Sequence, residues 1–214
     1  MDIFGGNWEG HPEAFFSGWR EVVRPEDLVV IAGDISWAMR LEDALPDLQD
    51  IAALPGAKVL LRGNHDYWWA SIGRVRSALP SGMYALQNDS LVIGEVAIAG
   101  TRGWDVPGNR ELPPEDDKIY RREVERLRLS LESLKGKSYG RLVLALHYPP
   151  FGPGGEGSGF TDLIEQYRPD AVLYGHLHGA DGRRLPQDWN GIPLHFVAAD
   201  YLQFKPKLIL EVSG

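Results

Sequence analysis

Four apolar runs in this chain each lead into a short polar turn that carries metal-ligand residue types, and this recurrence constrains the fold more than any other feature. Residues 28–32 run into Gly33-Asp34, and residues 58–61 lead to Gly63-Asn64-His65-Asp66. Residues 142–146 run into His147, and residues 171–173 lead to Gly175-His176-Leu177-His178. Runs of this length, bounded by turn residues, read as strands buried on both faces. Ligands of open α/β sheets bind outside the carboxyl ends of the strands, so four such tips can converge on one crevice. Further strands are expected at 91–93, 96–99, 192–198 and 208–212, and helices at 12–23, 41–54, 69–79, 114–135 and 161–167. In the longest of these helices Val124, Leu127, Leu131 and Leu134 recur at helical spacing, and its many charges read as a solvated face. Strand and helix alternate in the first half, and closely spaced strands follow late in the chain; the expected class is α/β with mixed sheets.

The chain has 214 residues, 43% of them hydrophobic, which suffices for one domain spanning residues 1–214. With 22 Lys+Arg against 30 Asp+Glu the formal charge is −8. Nucleic acid is therefore not a general partner, and only a locally cationic cleft would admit it. The absence of cysteine excludes disulfides, thiolate nucleophiles and thiolate metal sites, so any metal must sit on His, Asp, Glu or Asn. No run approaches the roughly 20 apolar residues that span a bilayer, and residues 1–10 lack a signal-peptide pattern, which makes the cytoplasm the default location and a membrane no partner.

A lone Gly-Asp is ordinarily a turn, and a lone histidine at a strand end is ordinarily structural. The combination is different, because four of the six histidines fall in these turns and Gly-His-x-His brings two imidazoles within reach of one centre. The blocks resemble the calcineurin-like metallophosphoesterase family, whose pattern is Asp-x-His, Gly-Asp, Gly-Asn-His-Asp/Glu, His and Gly-His-x-His. The resemblance runs from about Leu28 to His178, and the last four blocks match without substitution. It implies a four-layer sandwich of two mixed β-sheets flanked by helices, with a two-metal centre at the strand ends. Asp34 would bridge the metals, Asn64, His147 and His176 would complete one site, and His178 would serve the other. His65 would face the substrate, with Asp66 orienting it.

Phosphoester hydrolysis asks for such a set, since paired cations neutralise phosphoryl oxygens and activate a bridging water. Mixed N and O donors suit Mn, Fe or Zn better than Ca or Mg. The substrate expected is a small phosphomonoester or phosphodiester. Trp37, Trp68, Trp69 and Trp104 lie beside the motifs or in the Gly/Pro-rich segment 101–114, and Trp68, Trp104 and Arg102 are the candidates for a substrate wall. Arg40, Arg62 and Arg102 could bind phosphate but read first as surface or structural arginines, and His195 reads as a core or near-surface histidine.

The first block of the family pattern has no counterpart. Neither Asp2 nor Asp27 is followed two places later by histidine, and Glu9 and His11 have no apolar strand ahead of them. The expectation is that Met1 is internal to a longer reading frame and that the fold lacks its first strand. This chain would then hold one metal or none where the full-length enzyme holds two, and would be poorly active. A neighbouring strand left unpaired would offer its edge to a second copy, making a homodimer one expectation. The rival from another class is a member that no longer catalyses and serves as a binding scaffold; retention of Asp34, Asn64, His65 and the Gly-His-x-His pair argues against it.

Overall fold

The computed structural model describes residues 10–109 and 111–212. In chain order the elements are α1 (His11–Val22), β1 (Leu28–Ile31), α2 (Leu41–Ala52), β2 (Ala57–Leu61), α3 (Ile72–Ala78), β3 (Met83–Leu86), β4 (Ser90–Ile93), β5 (Val96–Thr101), α4 (Pro114–Glu132), β6 (Arg141–Leu146), α5 (Gly159–Tyr167), β7 (Ala171–Tyr174), a 3₁₀ turn (Gly182–Arg184), β8 (Asp188–Trp189) and β9 (Ile192–Phe196). One sheet has the order β1-β2-β3 and is wholly parallel among the described residues. The second has the order β4-β5-β6-β7-β9-β8 and is mixed, with β5, β6, β7 and β9 parallel and antiparallel partners at both edges.

Period-2 alternation builds four layers from these strands. Val59 and Leu61 of β2 face Ile98, Val143, Ala145 and Leu173 of the other sheet, forming the apolar layer between the sheets. Leu60, pointing the other way, packs with Leu41, Ala44 and Leu48 of α2 and Val75 of α3. On the far side Leu142, Leu144 and Leu146 of β6 pack with Leu127 and Leu131 of α4 and Leu163 and Ile164 of α5. The fold is thus a four-layer α/β sandwich. Strands buried on both faces explain the continuous apolar runs, and each fully buried leucine contributes about 1.5–3 kcal/mol of transfer free energy. Helix α5 starts where Ser158 accepts from the Thr161 N–H and the Thr161 hydroxyl accepts from the Ser158 N–H, a reciprocal cap of about 1 kcal/mol.

Two local expectations need correction. Residues 208–212, expected as a strand, form no ladder among the described residues; Ile209 and Leu210 instead lay apolar side chains on the layer between the sheets. Their pattern reports burial without pairing. Helix α3 begins at Ile72 rather than at Trp69, because Trp68 and Trp69 are buried in the turn that precedes it. Among the described residues no helix is long and apolar enough to cross a membrane.

Candidate metal centre

The carboxyl ends of β1, β2, β6 and β7 bring Asp34, Asn64, His147 and His176 together. Close approach of backbone makes this possible. A Cβ on Gly33 would stand 2.6 Å from His147 Nδ1, and one on Gly63 would stand 2.0 Å from Asp34 Oδ1, so neither position tolerates a side chain. Asp34 itself adopts a left-handed backbone with φ 54°, and His176 another with φ 71°. Conformations of this kind persist only where the surroundings hold them.

At Asp34 the holding is done by Asp66, which is fully buried. Its Oδ2 accepts the N–H groups of Gly63 at 2.7 Å and Asp34 at 2.9 Å. Its Oδ1 accepts those of Ile35 at 2.8 Å and Ser36 at 3.1 Å, and the indole N–H of Trp68 at 2.9 Å. Burial pushes the Asp66 pKa up, and the backbone donors pull it back. Both oxygens face donors, which leaves a proton no acceptor to point at, so the geometry calls for the carboxylate. The Asp66 carboxylate thus clamps the β1 and β2 turns together, and its five donors do not include the His65 ring. The expectation for Trp68 is corrected: it is 1% exposed and braces Asp66 from within the core, offering no wall to a substrate.

The donor atoms then form a tight group. Asn64 Oδ1 lies 2.7 Å from His147 Nε2 and 3.1 Å from His176 Nδ1, and the two ring nitrogens are 3.2 Å apart. Asp34 Oδ2 is 3.5 Å from His147 Nε2, buried, and without a hydrogen-bond partner among the described residues. His147 Nδ1 sits 2.8 Å from the Ala32 carbonyl, which can only accept, so the ring proton is on Nδ1 and Nε2 presents a lone pair. Burial lowers the His147 pKa despite Asp34, and burial followed by His147 lowers that of His176 to about 4. Both rings are therefore neutral near pH 7. The His147 Nε2 lone pair faces Asn64 Oδ1, and with the His176 proton on Nε2 the Nδ1 lone pair joins them; ligands about 2.1 Å from a shared cation sit about 3 Å from one another, which is the spacing seen here. No three His, Asp or Glu side chains converge closely enough by themselves among the described residues. The group closes only through the Asn64 amide oxygen, and the donor set fits one divalent cation.

His178 lies close enough to act electrostatically on both His147 and His176, with its Nδ1 3.7 Å from Asp200 Oδ1. Asp200 anchors the Gly-His-x-His turn by accepting the Gly179 N–H at 2.6 Å, and its Oδ1 is buried without a hydrogen-bond partner among the described residues. Sequence reasoning missed Asp200, although it obeys the same rule as the others, standing just beyond the apolar run that includes β9. His65 stays outside the donor group. Its backbone N–H fixes Asp34 Oδ1 at 2.9 Å, and its ring stacks on Trp37 at 5.0 Å with Nδ1 3.2 Å from the Tyr67 hydroxyl. A second aromatic row, Trp104 against Tyr148 at 5.3 Å and Tyr148 stacked on His176 at 3.9 Å, leads from the β5–α4 loop to the donors. Arg102 lies 4.6 Å over Trp104 and 3.4 Å from Glu123.

The lowered histidine pKa values set an acid limit. His176 titrates near 4 when folded and near 6.5 when unfolded, so between these values the unfolded chain binds the extra proton and acidification destabilises the fold. Urea unfolding of chelator-treated protein should show stability falling from about pH 6.5 to about pH 4, with a shallower fall in His176→Asn. An unchanged acid limb in that variant would remove His176 as its cause.

Comparison with known proteins bears on the fold and the family. Phosphopantetheinyl hydrolase from Mycobacterium tuberculosis superposes with a TM-score of 0.60 at 17% identity, covering 87% of this chain and 86% of that one. A protein of Thermus thermophilus gives 0.54 at 18% identity over 79% and 77%. At such identities the likeness establishes the fold alone. No curated protein matches the sequence significantly. The family model for calcineurin-like phosphoesterases matches residues 2–180, and on that match the chain belongs to the calcineurin-like phosphoesterase family of metal-dependent phosphoester hydrolases.

Proposed function

We propose that this protein hydrolyses a small phosphomonoester or phosphodiester at a dinuclear centre built around Asp34. The observation that carries the reading is the contact of Asn64 Oδ1, His147 Nε2 and His176 Nδ1 at 2.7–3.2 Å with the His147 proton committed to Ala32. Asp34, Asn64, His147 and His176 would hold one cation of the Mn, Fe or Zn class, and Asp34 with His178 would contribute to a second. When bound, such cations supply Lewis-acid stabilisation of phosphoryl oxygens and a water deprotonated near neutral pH. The chain's own part is to hold the donors in register and to move protons. Asp34 stays oriented because His65 N–H fixes one oxygen and leaves the other turned to the donors. The Ala32 carbonyl keeps His147 in the tautomer whose Nε2 can ligate. His65, stacked on Trp37 and bonded to Tyr67, is poised beside the donors and outside them, where it would donate a proton to the leaving oxygen.

The test compares wild type with His65→Asn in Mn²⁺, following hydrolysis of p-nitrophenyl phosphate and bis-p-nitrophenyl phosphate together with metal per chain. Loss of a general acid should lower kcat by roughly 10²–10⁴-fold and leave metal content unchanged. Metal loss in the variant would make His65 a ligand, and an unchanged kcat would remove it from the reaction. Preference between the two substrates separates monoesterase from diesterase.

A further inference from the structure

A polar cavity lies between the ends of β2, β3 and β5 and α4. It encloses about 30 Å³ and is lined by Arg62, Gln87, Asn88, Arg102, Glu123 and Arg126, among others. Three guanidinium groups thus face one carboxylate. Glu123 is buried and already engaged at both oxygens: Oε1 pairs with Arg126 at 2.5 Å and Arg102 at 3.4 Å, and Oε2 accepts the Thr101 hydroxyl at 2.5 Å. The carboxylate that acts most on Arg62 is Asp66, whose oxygens accept five donors of their own. Arg62 Nε and Arg102 Nε are consequently both buried with no acceptor among the described residues. Gln87 adds a further donor, since its Oε1 is occupied by the Trp69 indole at 2.7 Å and leaves the amide N–H₂.

Guanidinium groups remain charged in proteins and present N–H forks matched to planar or tetrahedral oxyanions. A half-enclosed site with surplus positive charge and two unmatched N–H donors is complementary to such a group, and about 30 Å³ takes one or two of its oxygens while the rest lies in the open mouth. We propose that this cavity is an oxyanion site for a phosphate or carboxylate group, separate from the phosphoryl position at the donor cluster. The backbone ties the two together. Arg62 stands two residues before Asn64, and the Arg102 carbonyl accepts the N–H groups of His147 at 3.0 Å and Tyr148 at 2.9 Å. The ligand is thus either a free anion or a second acidic group on the substrate.

The site stands on charge and packing, independently of the hydrolytic reading, and its first test needs no turnover. Sulfate is titrated into chelator-treated protein at constant ionic strength and followed by calorimetry. Saturable binding is expected in wild type and in His176→Asn, with the dissociation constant raised about tenfold or more in Arg62→Gln, the cost of one charge-assisted contact. Arg62 forms no bond with Glu123, so this variant leaves the Glu123 network intact; Arg102→Gln is the parallel variant, with thermal melting as the check on folding. Absence of saturable binding, equal binding in Arg62→Gln, or loss only in His176→Asn overturns the proposal. A second arm finds the source of the anion by comparing KM for bis-p-nitrophenyl phosphate with that for a matched diester carrying a carboxylate. If the anion belongs to the substrate, Arg62→Gln raises the KM of the carboxylate-bearing diester relative to the plain one about tenfold. If that ratio stays put while sulfate binding is lost, the ligand is a free anion.

Discussion

Asp34→Asn is expected to lower phosphoester turnover by at least about a thousandfold, about 4 kcal/mol of barrier at 1.36 kcal/mol per decade. The reason lies in how the carboxylate is divided. Oδ1 is held by the His65 N–H at 2.9 Å, whereas Oδ2 is buried, lacks a hydrogen-bond donor among the described residues and faces His147 Nε2 at 3.5 Å. An asparagine that keeps its oxygen on His65 turns an N–H₂ group toward the lone pairs of His147 and Asn64 and toward any cation among them. One that flips sets N–H₂ against the His65 N–H. Either way a negative charge shared between cations is gone, and the amide bridges them poorly. The metal-free fold should not suffer, because asparagine tolerates the left-handed backbone at this position and its amide can donate to His147 Nε2. Wild-type stability without metal, combined with loss of bound metal and of rate, is the signature. Retention of the wild-type metal content and of full turnover in Asp34→Asn would show that this carboxylate is no ligand.

The strands that build the site are readable because each is an apolar run cut off by a turn, and burial on both faces imposes that pattern directly on composition. β3 is not readable in this way. Met83–Leu86 is four residues long, with Tyr84 exposed in its middle, and it lies between the turns at Gly82 and Asn88. So short a segment owes its strand character to parallel pairing with β2, which no local pattern announces. The 208–212 stretch is the reverse case, since apolar alternation there records contact with the core and says nothing about a ladder. Within the site, residue types at strand tips point to Asp34, Asn64, His147 and His176 because the topology leaves few other places for such residues to meet. Direction is not legible. His65 and Asp66 are neighbours in sequence, yet one ring stacks on Trp37 while the adjacent carboxylate is buried under the turns after β1 and β2. A tryptophan beside a motif gives no sign of which side it takes either: Trp37 meets His65 while Trp68 goes inward.

Asp66→Ala should be among the most destabilising single substitutions in the chain. Five donors converge on this carboxylate, two on Oδ2 and three on Oδ1, and four of them are backbone N–H groups of residues 34, 35, 36 and 63. Truncation strands them in a site where Asp66 was fully buried. Each orphaned buried donor costs about 1–3 kcal/mol, and a water entering the vacated space can recover two or three of the five. A net loss of about 4 kcal/mol or more follows, a large part of the 5–15 kcal/mol typical of a folded domain. The loss would extend to the centre, because the N–H groups of 34, 35 and 36 are what hold Asp34 at φ 54° beneath Gly63. Asp66→Asn separates acceptor capacity from volume. It fills the same space, but one oxygen becomes an N–H₂ that confronts either two or three donors, so this variant should also lose stability, by less than the alanine. Urea unfolding at pH 7 gives the measurement, with a lower midpoint and an unchanged slope expected for both variants. If Asp66→Asn unfolds at the wild-type midpoint while its kcat falls as in His65→Asn, then Asp66 acts on the reaction through His65, and the clamp is not its main role.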